Sequence, residues 1–340
     1  MVGAALLALV NLTACAMNDL PRNMNLKAFN PHRADFTCVH EATKLPPIRP
    51  EAERLFQQGM TATSYELWPN QRDYKKAAEL WEQAAAKGHW KASMNLAGLY
   101  ERGLGVQRDT ERAVLLVEGL MKQGVPGAFD KMGTYHQSGI GVNPNIDRAY
   151  GFWQLAADMG SPGAQTYIGN KLDAAYDDAQ MGIWGNRTVG LKMLECAFAQ
   201  GSGEAAYRLR QTLDIDKDYT RALAILHEGV KFGSKDATGY LSSSFRHQDP
   251  LTSYLVDTAR ADRYSTLYEA LERNPDLRFP NLDKVLPLPP ADLPFWDGKR
   301  ETLINAVKPA IVEPVVHPTA VAPSCEQHWC GTANSHAAAF

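Results

Sequence analysis

The stretch Ala77–Val106, AAELWEQAAAKGHWKASMNLAGLYERGLGV, decides the fold because the chain repeats its pattern. The next copy, Ala113–Val142, reads AVLLVEGLMKQGVPGAFDKMGTYHQSGIGV and keeps its small residues in the same places. Each copy opens with a small residue, has a Gly eleven positions later and an Ala four residues after that Gly. Such self-similarity is typical of a solenoid, in which every unit buries its apolar face against its neighbours.

The pattern occurs five times. The copies open at Ala77, Ala113, Ala149, Gly190 and Ala222; the glycines are Gly88, Gly124, Gly160, Gly201 and Gly233; the following alanines are Ala92, Ala128, Ala164, Ala205 and Ala237. Gly suits a left-handed helix end, and Ala lets two helices cross closely. The sequence predicts an all-α fold, a right-handed α-solenoid of helix pairs over residues 51–247. Ala52 and Phe56 indicate a half-unit before the first copy.

The two Gly-x-Gly turns, Gly103–Val106 and Gly139–Val142, complete copies that resemble the Sel-one-like repeat, a relative of the tetratricopeptide repeat. The resemblance covers roughly residues 50 to 245 and is most specific in the first two copies. It implies a tetratricopeptide-like α-solenoid, a fold that usually binds other macromolecules.

Composition and motifs exclude several function classes. The net charge of −3 offers no basic footprint for nucleic acid, and no apolar run approaches the roughly 18 residues of a membrane span. No Gly-x-Ser-x-Gly elbow occurs, and there is no His-x3-His or Cys-x2-Cys arrangement. The acidic pair Asp177-Asp178 is better explained by a solvated loop than by acid–base chemistry. We therefore predict a protein that is not an enzyme, with no cofactor, metal or small-molecule substrate.

Two features are candidates for recognition. Trp81 and Trp153 occupy equivalent repeat positions, which favours packing in the core over an exposed role. The interruption Asp173–Arg187 lengthens one repeat, and insertions in solenoids often lie on the binding face. Its candidate partner-binding residues are Asp173, Tyr176, Asp177, Asp178, Trp184 and Arg187. The alternative is an ordinary solvated loop.

The amino-terminal residues resemble a bacterial lipoprotein signal. The apolar run Ala4–Val10 is followed by Leu12-Thr13-Ala14-Cys15, which is similar to a lipobox. The resemblance implies that residues 1–15 form the signal, with cleavage before Cys15 and lipidation of that residue. Because Ala16 rather than Asp follows, it also implies an outer-membrane anchor facing the periplasm. Residues 16–50 contain five prolines and predict a flexible tether.

The remaining cysteines fit an oxidising compartment. Cys325 and Cys330 are candidates for a disulfide, with Cys38 as an alternative partner for either. Metal binding by the Cys325–Cys330 segment and unpaired thiols are the other possibilities. Cys196, inside a predicted helix, is interpreted as a small buried apolar residue.

The pattern changes after the fifth copy. Residues 248–308 predict a helix over about Ala259–Arg273 and then a Pro-rich extended strap that caps the solenoid, because Leu, Phe and Trp interrupt its prolines. Residues 309–340 are expected to form a disordered tail.

The lipobox, the repeats and the strings Leu286–Ala291 and Leu293–Gly298 together resemble periplasmic immunity lipoproteins encoded beside type VI secretion phospholipase toxins. The resemblance implies a protein partner, a cognate phospholipase toxin of the phospholipase D type whose active site is occluded, and contact with the membrane only through the lipid. One alternative is a generic periplasmic adaptor in envelope assembly or signalling. Another is a hydrolase that uses Asp177 or Asp178.

Overall fold

The computed structural model describes residues 20–308, which contain thirteen α-helices and one two-stranded antiparallel sheet. The elements are α1 Pro50–Ala62, α2 Tyr74–Ala86, α3 Trp90–Arg102, α4 Thr110–Lys122, α5 Pro126–Ser138, α6 Ile146–Met159, α7 Pro162–Leu172, β1 Asp173–Asp178, β2 Ile183–Gly185, α8 Arg187–Ala199, α9 Gly203–Ile215, α10 Tyr219–Lys231, α11 Lys235–Arg246, α12 Thr258–Arg273 and α13 Arg300–Val307. Five helix pairs, α2–α3 to α10–α11, follow the half-unit α1, as the repeat predicts. No helix in this part of the chain is both long and apolar enough to cross a bilayer.

The turn inside each pair behaves as the sequence predicts. The five marker glycines have φ between 75° and 112°, a left-handed conformation that a side chain would strain. The five alanines that follow are fully buried where the two helices of a pair meet. Gly therefore ends the first helix, and Ala sets the close approach of the second.

Side-chain caps are a further regularity of the repeats. First helices α2, α4 and α10 begin after Asp73, Asp109 and Asp218, and each carboxylate accepts a hydrogen bond from the third N–H of its helix. Second helices α7, α9 and α11 begin after Ser161, Ser202 and Ser234, whose hydroxyls do the same. Such caps satisfy otherwise unpaired amides and fix where each helix starts.

The two repeat-equivalent tryptophans lie in the core, as predicted. Trp81 and Trp153 are 4% and 3% exposed. A Cβ at Gly59 would come within 2.3 Å of Trp81, and one at Gly133 within 2.7 Å of Trp153. Glycines on the neighbouring second helices thus make the space into which each indole packs.

Residues 20–49 correct the predicted tether, because they lie along the first helices of the array. The Arg22 guanidinium donates to both carboxylate oxygens of the buried Glu118 at 2.8 Å. Further along, Arg33 pairs with Asp158 at 2.6 Å. The prediction of a flexible tether over 16–50 is therefore wrong for 20–49, because these residues exchange contacts with water for ion pairs and apolar packing. The predicted signal at 1–15 lies outside the described residues.

The carboxyl-terminal block packs against the last repeat. Phe279, Leu282 and Leu286 of the predicted strap are fully buried beside α10 and α12. This apolar contact is joined by a polar one, in which His227 Nε2 lies 2.7 Å from Asp283 Oδ1 and His227 Nδ1 lies 2.7 Å from the Tyr264 hydroxyl. The strap gives way to helix α13, which the Pro-rich pattern did not predict. The predicted tail, 309–340, lies outside the described residues.

Candidate partner-binding surface

The interruption Asp173–Arg187 is a β-hairpin rather than a loop. Strands β1 and β2 pair antiparallel from Asp173 opposite Gly185 to Asp178 opposite Ile183, with an irregular register between them. Gly182 closes the turn with φ 62°, and a Cβ there would lie 2.8 Å from the Tyr150 hydroxyl. The predicted site residues other than Arg187 are thus held on a short, anchored sheet.

Trp184 of the predicted site faces the protein. Its ring packs edge-on against Phe29 at 4.9 Å and against Tyr150 at 5.2 Å between centroids. Trp184 therefore holds the hairpin against α6 and the amino-terminal segment. Its side chain is half-buried. The sequence marked Trp184 as a candidate partner-binding residue, whereas in the structure its ring packs against Phe29 and Tyr150.

The aspartates of the predicted site hold the hairpin in place. Asp173 accepts a hydrogen bond from the Thr212 hydroxyl. The Nε atom of Arg187 lies 3.5 Å from Asp173 Oδ1. Asp177 accepts from the Gly185 amide at 2.8 Å. Asp178 accepts from the Gln180 and Met181 amides at 3.1 and 3.0 Å, which closes the turn.

Arg187 begins α8 and joins the hairpin to the next repeat. Besides Asp173, its guanidinium contacts Asp216 Oδ1 at 3.0 Å. The large apolar side chains of the insertion that are exposed to a partner are Tyr176 and Met181, at 66% and 69%. The sequence did not mark Met181, because no local pattern shows that a methionine side chain points outward.

A second candidate surface is a groove along the second helices α1, α3, α5 and α7. Its volume is about 530 Å³, and its apolar wall is formed by Phe56, Met60, Trp90 and Met94. Asp130 lies at its floor and accepts from Ser161 Oγ at 3.2 Å; burial raises the pKa of Asp130 to about 6. No sequence motif marks this groove, since its residues come from four separate repeats.

Glu41 adds a second carboxylate to this groove from the amino-terminal segment. It accepts from the Gly127 amide at 3.0 Å, and burial, helped by the nearby Asp130 charge, raises its pKa. Lys131, which also lines the groove, is held by Glu101 at 2.7 Å. Two poorly solvated carboxylates beside apolar side chains make this groove a candidate docking surface.

The described cysteines form a disulfide that the sequence did not predict. Cys38 is bonded to Cys196, with 5.6 Å between their Cα atoms. The alternative in which Cys38 pairs with Cys325 or Cys330 is therefore wrong. Cys196 is buried as expected, but it forms a disulfide instead of acting only as a small apolar residue. His40 lies close to both sulfur atoms, but sulfurs joined in a disulfide cannot act as the thiolate ligands that a metal needs. Cys325 and Cys330 lie outside the described residues.

Stacked helix pairs with exposed grooves and loops define an α-solenoid, a class of fold that usually binds other proteins. Sequence comparison agrees, since the Sel1 repeat matches residues 71–89, 90–117 and 131–161. A domain of unknown function, DUF6396, matches residues 238–315, which include the capping strap. A search of curated proteins finds none significantly similar to the chain.

Three solved structures from Pseudomonas aeruginosa resemble the chain over most of its length. PA5086 is 32% identical, with a TM-score of 0.62, and 76% of this chain and 96% of that chain are covered. Immunity protein Pa5087 is 30% identical (TM-score 0.61; 75% and 95% covered), and immunity protein PA5088 is 29% identical (TM-score 0.63; 76% and 95% covered). The chain belongs to the family of Sel1-repeat proteins that includes PA5086 and the immunity protein Pa5087.

Proposed function

We propose that this chain is an immunity protein that binds a cognate type VI secretion phospholipase of the phospholipase D type and occludes its active site. The observation that carries the proposal is the 30% identity to immunity protein Pa5087, which extends over 95% of that protein. The phospholipase identity of the toxin rests on the resemblance of the repeats and of the Leu286–Gly298 string to immunity lipoproteins encoded beside such toxins.

Occlusion requires binding and no chemistry by this chain. A repeat array offers an extended surface, and a stable complex buries about 1,200–2,000 Å² in total. The groove between α1 and α7 and the exposed hairpin tip are both of the kind that meets a protein partner. Inhibition is then stoichiometric, with one inhibitor chain for each toxin.

We also propose that the protein acts in the periplasm, held at the outer membrane by lipid on Cys15. The disulfide between Cys38 and Cys196 supports an oxidising compartment. A toxin that acts on periplasm-facing lipids is neutralised most effectively by an inhibitor kept there. Metabolic labelling with a fatty-acid analogue should mark the wild-type chain and leave Cys15→Ser unlabelled; equal labelling of both would refute the anchor.

The decisive experiment combines residues 16–340 with the purified phospholipase-like product of the neighbouring gene. We expect a stable complex of fixed stoichiometry and lipase activity that falls linearly to zero as the chain is added. In cells, toxin directed to the periplasm should be lethal without this chain and harmless with it. A phospholipase from an unrelated locus, left fully active at the same ratio, is the matched control. Undiminished toxin activity in the presence of excess chain would overturn the proposal.

A further inference from the structure

The segments that follow helices α7, α9 and α11, each the second helix of its pair, lie side by side on one edge of the array. They are the hairpin segment 173–187, the turn 214–218 and the loop 247–257, which we call the loop edge. Arg187 joins the first to the second through its 3.0 Å contact with Asp216. Arg210 pairs with Asp214 at 2.6 Å while its guanidinium lies 4.1 Å from the ring of Tyr240 on α11, the helix that leads into the third.

Exposed apolar side chains are concentrated on the loop edge. Of the eleven large apolar residues exposed in the described chain, six belong to these three short segments. They are Tyr176, Met181, Ile215, Tyr254, Leu255 and Val256, with exposures from 43% to 71%. A protein surface that meets only water gains nothing from such a series, whereas interface anchors have this composition.

The loop 247–257 presents its apolar residues from a fixed backbone. Ser253 and Tyr254 both have left-handed φ, 53° and 62°, which non-glycine residues adopt only when the surroundings enforce it. Thr252, buried beneath them, donates to the Leu255 carbonyl at 3.0 Å, and the Tyr254 amide donates to the Asp249 carbonyl at 2.9 Å. Because the loop is already ordered, binding through Tyr254 and Leu255 loses little conformational entropy.

The loop edge is also acidic. Besides His247, its three segments contain eight aspartates against one arginine and one lysine, Arg187 and Lys217, whereas the whole chain carries a net charge of only −3. Arg210 and Arg260, on adjoining helices, neutralise Asp214 and Asp257. An acidic excess remains, and it includes the exposed Asp218. The complementary partner is a basic surface with an apolar recess, and opposite charge accelerates its approach.

We propose that the loop edge is the surface that binds the toxin, with Tyr254 and Leu255 inserted into an apolar recess that basic residues of the toxin surround. This proposal rests on the proposed immunity function and names the partner's chemistry. It assigns a function to the loop 247–257 that lies within the domain of unknown function and outside the matched repeats.

The test measures binding of the catalytically inactive toxin from the neighbouring gene to residues 16–340. We expect Tyr254→Ala with Leu255→Ala to raise Kd at least 10-fold without changing the thermal unfolding midpoint. Asp178→Asn with Asp218→Asn, which retains hydrogen-bond acceptors at both turns, should lower the association rate several-fold at low salt and leave the dissociation rate unchanged. The matched control is Leu115→Ala with Phe295→Ala, two exposed apolar residues elsewhere, which should leave Kd unchanged.

Each remaining outcome is decisive. A wild-type complex that the loop-edge variants leave intact, or that only Trp90→Ala in the groove weakens, would overturn the loop edge and keep the immunity function. The absence of any complex with the wild-type chain would overturn the proposed function, and this surface with it.

Discussion

At the scale of single residues, one covalent bond fixes the path of the amino-terminal segment. The Cys38–Cys196 disulfide closes a loop across a sequence separation of 158 residues and holds residues 20–49 to helix α8. A disulfide stabilises largely by restricting the unfolded chain, and this restriction grows slowly with loop length.

We expect Cys38→Ser with Cys196→Ser to lower the free energy of unfolding by about 2–4 kcal/mol. Urea denaturation followed by circular dichroism measures the change. Dithiothreitol should destabilise the wild-type chain by a similar amount. It should not change the stability of the double variant, which shows that reduction of the other cysteines has no effect. Equal stability of oxidised wild type and double variant would show that noncovalent contacts suffice.

A single carboxyl in the groove should make stability depend on pH. Burial raises the pKa of Asp130 to about 6 in the folded chain, from 3.8. Well below pH 3.8 the group is protonated in both folded and unfolded chains and contributes no difference. As pH rises from about 4 to about 6, the carboxyl ionises in the unfolded chain but stays protonated in the folded one, so stability falls. Above about pH 6 it is charged in both chains, and the full loss of at most about 3 kcal/mol remains.

Asp130→Asn keeps an acceptor for Ser161 and cannot ionise. The free energy of unfolding of the variant minus that of wild type should therefore increase between pH 4 and pH 7, by about 1–3 kcal/mol. Chemical denaturation at several pH values measures this difference. A difference that stays constant over that range would show that Asp130 is as well solvated as in the unfolded chain.

At the scale of elements, the turn after each of the first two pairs depends on a glycine that touches the preceding first helix. Gly141 has φ 63°, and a Cβ there would lie 2.6 Å from the Thr110 carbonyl oxygen. At Gly119, inside α4, a Cβ would meet no other atom within 4 Å. A Gly→Ala substitution at Gly141 therefore tests close packing, whereas the same substitution at Gly119 tests helix propensity alone.

Gly141→Ala should destabilise the protein by about 2 kcal/mol or more, since it combines backbone strain with a clash. Gly119→Ala, the matched control, should stabilise it by about 0.5–1 kcal/mol, since Ala favours helix. Thermal and urea unfolding of both variants measure these opposite changes. A stabilising Gly141→Ala would mean that α4 can move away from the turn at little cost.

At the scale of the whole molecule, the sequence predicted what is locally encoded and missed what depends on distant pairing. Gly88 and Ala92 act within one helix pair, so their spacing predicted the turn. Glu118 is a buried partner of Arg22 only because residues 20–49 lie along the array, whereas the four prolines in that segment suggested a flexible chain. The outward side chain of Tyr254 likewise depends on a backbone conformation that no repeat position encodes.

The carboxyl-terminal block closes the apolar end of the array. Phe279, fully buried, packs in the same cluster as Leu226 and Leu241 of the last repeat, and its amide donates to the Lys231 carbonyl at 2.9 Å. In an array stabilised by nearest-neighbour contacts, loss of a cap exposes the face of the last pair and weakens each unit that relies on it. The cap therefore contributes to the stability of more than its own residues.

Phe279→Ala should lower the free energy of unfolding by about 3–5 kcal/mol, because it leaves a cavity at the centre of the cap. Phe295→Ala provides the matched control, since that ring is 93% exposed in the same strap and should change stability by less than about 0.5 kcal/mol. Hydrogen exchange then locates the effect: in Phe279→Ala, amides of α10–α12 should exchange faster than those of α2–α5. Uniformly faster exchange along all the helices would instead show that the array unfolds as one cooperative unit, with the cap stabilising every repeat equally.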